Sequence, residues 1–166
     1  VIYPSAISDK DRQRMEHRAK AMAIVDAVDF RTQPLMNKSE YRQFSAIERR
    51  VCDLKAGYRV MAQVSLAEIM RPVSNDERAA KAAIWELNTR RIDFAVIDGA
   101  GHLAVAVEYQ GHGHYQGGAF ARDAIKREVI RKSGAEWMEI EADASPDASA
   151  NAIVARLRRR GSPRQP

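Results

Sequence analysis

The strongest constraint in this chain of 166 residues is a pair of continuous apolar runs, Ile92 to Ile97 and Leu103 to Tyr109, joined by Asp98-Gly99-Ala100-Gly101. Glycine and aspartate tolerate the backbone angles of tight reversals, so this segment predicts a β-hairpin. Neither run alternates with polar residues, so both faces of the hairpin must be covered. A sheet covered on both faces needs helices on each side, and the flanking sequence supplies them.

Asn37-Lys38-Ser39-Glu40 offers helix-capping residues, and Tyr41, Phe44, Ile47, Glu48 and Val51 carry a helical period from about Ser39 to Cys52. After Gly57, the stretch from Tyr58 to Leu66 alternates, which predicts a half-buried strand with Val60, Ala62, Val64 and Leu66 on one side. An Ala-rich helix from Asn75 to Leu87 is inserted before the hairpin. Beyond it, the glycine-rich loop 111–118 leads into a helix from about Ala119 to Ser133, which Gly134 stops, and Glu136 to Glu141 forms a last strand. A closing helix presents Ile153, Val154 and Leu157. Upstream, residues 9–28 read as an amphipathic helix suited to packing or oligomerisation, with Met15, Ala19, Met22, Ile24, Val25 and Val28 as its apolar positions. The organisation expected is an extension over residues 1–33, one core domain over 34–142, and a C-terminal helix with a basic tail over 143–166, a length suited to a single core.

Apolar residues make up 45% of the chain, a globular level. No run approaches the roughly 18 apolar residues of a membrane-spanning helix. Cys52 is the single cysteine and no secretory leader pattern is present, so a cytoplasmic, reducing setting is expected. The net charge of +5, with Arg156, Arg158, Arg159, Arg160 and Arg164 crowded near the end, favours phosphate-bearing partners over acidic ones. A plain solvated basic surface explains the same charge equally well.

The hairpin carries the chemistry. With residues 99–102 as the connection, Asp98 pairs with Leu103, and counting back sets Asp93 opposite Glu108. Side chains alternate, so Gln110 shares the face of Glu108 while Val107 and Tyr109 point the other way. Two ionised carboxylates close together in apolar surroundings repel each other and cost several kcal/mol in desolvation unless a cation or proton intervenes. Oxygen ligands favour Mg²⁺ or Mn²⁺, which keep waters able to attack a phosphodiester. Glu40 is a third carboxylate that approaches from outside the sheet.

With these residues in place, the chain resembles the PD-(D/E)XK nuclease superfamily, and within it the branch of the very-short-patch repair endonucleases and an uncharacterised bacterial domain family of that branch. The matching pieces are Asn37-Lys38-Ser39-Glu40-Tyr41, Gln63-Val64-Ser65-Leu66, Asp93-Phe94, Glu108 followed by His114, and Arg122-Asp123-Ala124-Ile125-Lys126, spread from Pro34 to Ile140. The resemblance implies an α/β restriction-endonuclease-like core in αβββαβ order: a mixed sheet of about four strands flanked by helices, with an inserted helix and extra terminal helices. It implies a metal-dependent nuclease acting on nucleic acid, DNA before RNA. Asp93, Glu108 and the Tyr109 backbone carbonyl would be metal ligands, and Glu40 would assist a second metal or position water. Gln110 departs from the family pattern, standing where the family name expects Lys. A neutral amide supplies no charge, so Lys126 is the candidate for a relocated lysine, with His114 as general acid/base or phosphate contact.

Blander readings stand beside these. Glu40 can simply complement its helix dipole, and Gln63 can satisfy a buried hydrogen bond instead of touching nucleic acid. Arg122, Lys126 and Arg127 can track a nucleic-acid backbone or form a solvated face. His112 and His114 suit a transition metal, yet no third and fourth ligand is evident. Trp85 and Trp137 are expected in packing. Two further functional readings remain open: an inactive nucleic-acid-binding module of the same fold, and a protein-interaction or transition-metal domain.

Overall fold

The computed structural model describes residues 8–111 and 117–161, with residues 117–123 and 161 described by their backbone alone. The chain divides into two units, Val1–Pro34 and Leu35–Pro166, each considered by itself.

In the first unit, helix α1 spans Asp9–Asp26. Ser8 caps it, accepting from the Asp11 backbone N–H at 3.2 Å, and Asp9 and Asp11 complement the dipole of the first turn. No residue of α1 is buried, and Met15, Met22 and Ile24 stand exposed. At about 3.6 residues per turn, Met15, Ala19 and Met22 share one side while Ile24 points to the opposite one. The expected helix forms, but its apolar residues are scattered around it and make no single stripe.

In the second unit, α2 (Lys38–Asp53) begins at a capping box: the Asn37 side chain accepts from the N–H groups of Ser39 and Glu40, and Glu40 accepts from the Asn37 N–H at 3.0 Å. Gln43, Ala46, Ile47 and Val51 form its buried face, at helical spacing. Strand β1 (Arg59–Ser65) passes directly into a short helix, α3 (Leu66–Ile69), which the sequence pattern had as the strand's end. Helix α4 (Glu77–Asn88) starts at Asp76, whose carboxylate accepts from Arg78 and Ala79. Next come β2 (Arg91–Ile97), β3 (Leu103–Gln110), α5 (Gly117–Ser133), β4 (Glu136–Glu141) and α6 (Pro146–Gly161).

The four strands form one mixed sheet in the order β1-β2-β3-β4. The first two pairings are antiparallel and β3–β4 is parallel. On one face, Phe94, Val96, Val105, Val107, Tyr109 and Ile140 meet Ile47 and Val51 of α2 and Ile153 and Leu157 of α6. On the other, Ala95, Leu103 and Ala106 pack with Leu66, Leu87 and Ile130 of α5. Both faces of the hairpin are therefore covered, and β3 is buried from Leu103 to Tyr109. Each large side chain removed from water in this way stabilises by about 1.5–3 kcal/mol. Of the tryptophans, Trp137 packs beside the second cluster, while Trp85 on α4 is 72% exposed and takes no part in the core.

Two details differ from the alternation rule. The hairpin closes with Ile97 opposite Leu103, not Asp98, and a bulge at Ala104 then restores the count, so that Val96 faces Val105 and Phe94 faces Val107. In β1, Val60 and Ala62 pack with the first core cluster but Val64 and Leu66 with the second. Between them, Gln63 has φ +54, a left-handed conformation at which the strand changes direction.

Candidate active site

The register of the sheet sets out a row of polar side chains across four strands. Ala62 faces Phe94 and Val64 faces Ile92, so Gln63 lies opposite Asp93. The last described β2–β3 pair is Phe94 with Val107, so Asp93 and Glu108 follow it on the two strands. Glu108 is in register with Glu139 of β4. Alternation turns Glu108 and Glu139 towards the face that α5 covers, because Ala106 and Trp137, two residues before them, pack there.

Each member of the row has defined partners. Asp93 Oδ2 accepts from the Tyr109 backbone N–H at 2.8 Å, so the carboxylate continues the ladder where the β2 backbone leaves it. The Gln63 side-chain amide donates to Asp93 Oδ1 at 3.4 Å, and Arg91 donates to the Gln63 carbonyl at 3.1 Å. Glu108 is 7% exposed, and Lys126 of α5 brings its Nζ to 2.8 Å from Glu108 Oε1. One position further along α5, Arg127 pairs with Glu139 and lies over the Trp137 ring, 5.8 Å from its centroid. Trp137 also donates to Glu139, at 3.0 Å. Gln110 is half-buried at the end of β3, two residues beyond Glu108 and in register with Glu141.

The structure thus brings together Asp93, Glu108, Gln63 and Lys126. Gln63 and Lys126, both expected at a nucleic-acid backbone, turn onto the two carboxylates, and Arg127 is engaged by Glu139. Tyr109 buries its ring in the first core cluster while its hydroxyl donates to the Ala142 carbonyl at 3.3 Å. Glu40 closes the capping box of α2, a helix packed against the opposite face of the sheet, so its carboxylate serves its own helix terminus. His112 and His114 lie outside the described residues, as does the side chain of Arg122. Glu139 and Arg91 were not singled out from the sequence. The alternation of Trp137, Glu139 and Glu141 along the last strand carries a signal for Glu139, once β4 is known to run parallel to β3.

Asp93 and Glu108 provide oxygen donors only, which suits a hard divalent cation and not a soft one. Among the described residues, no three of His, Cys, Asp and Glu gather closely enough to cage an ion. A cation held by two carboxylates with waters in its remaining positions fits that set, which is how Mg²⁺ is usually bound. Elsewhere on α5, Arg131 hydrogen-bonds Glu128 and holds its carboxyl below the ordinary value, an exposed pair that serves the helix surface and not the row.

Comparison with known proteins adds relatives without an assigned activity. Residues 32–155, from ahead of α2 into α6, match the family described as protein of unknown function (DUF2726). An uncharacterized protein of Haemophilus influenzae is 32% identical over 135 residues, covering 81% of this chain and 68% of its own length. The uncharacterized protein y4bI of Sinorhizobium fredii is 36% identical over 128 residues, covering 77% of this chain and 88% of its own. No solved structure matches.

Proposed function

The chain belongs to the family described as protein of unknown function (DUF2726), and we propose that it is a divalent-metal-dependent nuclease of restriction-endonuclease-like fold, hydrolysing phosphodiester bonds in DNA before RNA. One observation carries this reading: the β2–β3 register sets Asp93 beside Glu108 at one end of the hairpin, and Lys126 of α5 brings its Nζ to 2.8 Å from Glu108 Oε1. Asp93 and Glu108 would hold Mg²⁺ or Mn²⁺, with the Tyr109 carbonyl beside them. When bound, such a cation activates water and neutralises charge on the phosphoryl group. Lys126 keeps a positive charge at Glu108 that is available to a phosphate oxygen, the role Gln110 cannot fill. The side-chain amide of Gln110 can still hold a water or a phosphate oxygen.

Purified protein with Mg²⁺ or Mn²⁺ is expected to nick DNA, and chelation to abolish the cleavage. Glu108→Gln, which keeps the shape of the side chain and removes its charge, is expected to lose activity. Absence of cleavage on single-stranded, double-stranded and branched DNA and on RNA would remove the nuclease reading.

A second reading has its own support. The ion pair between Lys126 and Glu108, with side chains 12% and 9% exposed, already compensates the Glu108 charge. A pair complete without a metal suits a non-catalytic nucleic-acid-binding module. That module would bind in a salt-dependent way without turnover, and a titration with no binding at low salt would exclude it.

A further inference from the structure

Gln63 occupies a conformation that a strand interior ordinarily avoids. Its φ of +54 is strained for a residue with a Cβ and persists only where surrounding structure enforces it. The register is the same on both sides, Ala62 with Phe94 and Val64 with Ile92, so no residue is inserted and the excursion corrects no mismatch. It carries β1 from the first core cluster, where Ala62 packs, to the second, where Val64 packs, and it also sets two polar contacts. The side-chain amide meets Asp93 Oδ1 at 3.4 Å, and the turned peptide offers its carbonyl to Arg91 at 3.1 Å. Asp93 Oδ2 is fixed by the Tyr109 N–H at 2.8 Å. Both described donors are neutral, so together they orient the carboxylate without bringing a counter-charge to it.

We infer that Gln63 is a positioning residue, whose left-handed backbone and side-chain amide aim the Asp93 carboxylate at the site it shares with Glu108. The inference builds on the nuclease reading, but its geometric part is independent of metal and substrate. Gln63 acts through Asp93 and does not itself contact nucleic acid.

The discriminating substitution is Gln63→Gly, because glycine adopts the positive φ without strain and lacks the amide. The variant is expected to keep its thermal stability while the Tyr109 amide proton, measured by hydrogen exchange, loses protection as Asp93 is released. Mn²⁺ affinity by calorimetry is expected to fall roughly 10- to 100-fold, the usual consequence of removing a group that orients a ligand. On DNA, kcat is expected to fall with KM little changed. Gln63→Asn, which keeps an amide and tolerates the left-handed region, is expected to recover part of the Tyr109 protection. A Gly variant with unaltered Tyr109 exchange and Mn²⁺ affinity overturns the inference, as does one that raises KM alone, since that identifies a nucleic-acid contact. If the unaltered protein binds no Mn²⁺ and cleaves nothing, the nuclease reading fails, and the Tyr109 exchange still decides whether Gln63 positions Asp93.

Discussion

Lys126 and Glu108 form a largely buried ion pair on which the stability of the domain depends. Their side chains are 12% and 9% exposed and their charged atoms 2.8 Å apart, so neither charge is substantially solvated. Removing one partner of such a pair leaves the other desolvated without it, which costs roughly 3 kcal/mol. Glu108→Ala is therefore expected to destabilise the domain by about that amount, seen as a lower midpoint in urea. Glu108→Gln also removes the charge facing Lys126 but keeps a side-chain oxygen and the shape, so it is expected to cost less stability and is the better probe of the proposed chemistry. Replacing both residues together, Glu108→Gln with Lys126→Met, is expected to cost less than the two single changes added, with a coupling of about 1–3 kcal/mol. Additive losses would show that the pair contributes nothing to folding. The pairing was half legible in the sequence. A lysine one helix beyond a strand carboxylate can be placed by spacing, whereas whether its stem reaches inward depends on how α5 lies over the sheet. The Gln63 conformation carried no sequence signal, because glutamine has no preference for the left-handed region.

The β2–β3 hairpin shows why counting along a strand holds from Val96 to Phe94 and fails at the turn. The Asp98 side chain accepts from the backbone N–H groups of Ala100 and His102, each at 2.9 Å, and its own N–H donates to the His102 carbonyl. These bonds draw Asp98 into the connection and leave Ile97 to close the ladder, and the Ala104 bulge absorbs the offset before the site is reached. Sequence patterns register the turn residues but not which carboxylate lone pair they fill. The His102 N–H, above all, holds the Asp98 carboxyl below its ordinary value, assisted by the Ala100 N–H and by the His102 and Arg160 charges. A carboxyl whose value is lowered by folding stabilises the protein above its unfolded value and loses that contribution as pH falls through the folded one. Acid unfolding should therefore weaken the hairpin in the window below the usual aspartate range near 3.8. Asp98→Asn is expected to flatten that part of the stability–pH curve. An unchanged acid limb, or a carboxyl titration by NMR at the ordinary aspartate value, would contradict the assignment.

Across the second unit, charge is separated along the sheet. The carboxylate row crosses the strands near the C-terminal end of β3, whereas the last turn of α6 carries Arg158, Arg159 and Arg160. Arg160 donates to the Gly134 carbonyl just ahead of β4, and Arg156 pairs with Glu136 at its start, which puts this basic turn beside the hairpin end of the sheet. From Leu103 to Glu108 is roughly 17 Å at the rise of a strand, too far for an arginine at the hairpin end to reach a group bound beside Glu108. On the nuclease reading proposed above, the basic turn would instead meet the backbone of a nucleic acid lying along the sheet edge, adding affinity through counterion release and nothing to the chemical step. Arg159→Glu is accordingly expected to weaken DNA binding and to make the plot of log affinity against log salt shallower by about 0.9 to 2, a lost contact plus a new repulsion. Under saturating DNA, kcat is expected to stay at the level of the unaltered protein. A fall in kcat with the salt slope preserved would bring the arginine turn into the reaction and break the separation between an anchoring end and a reacting end.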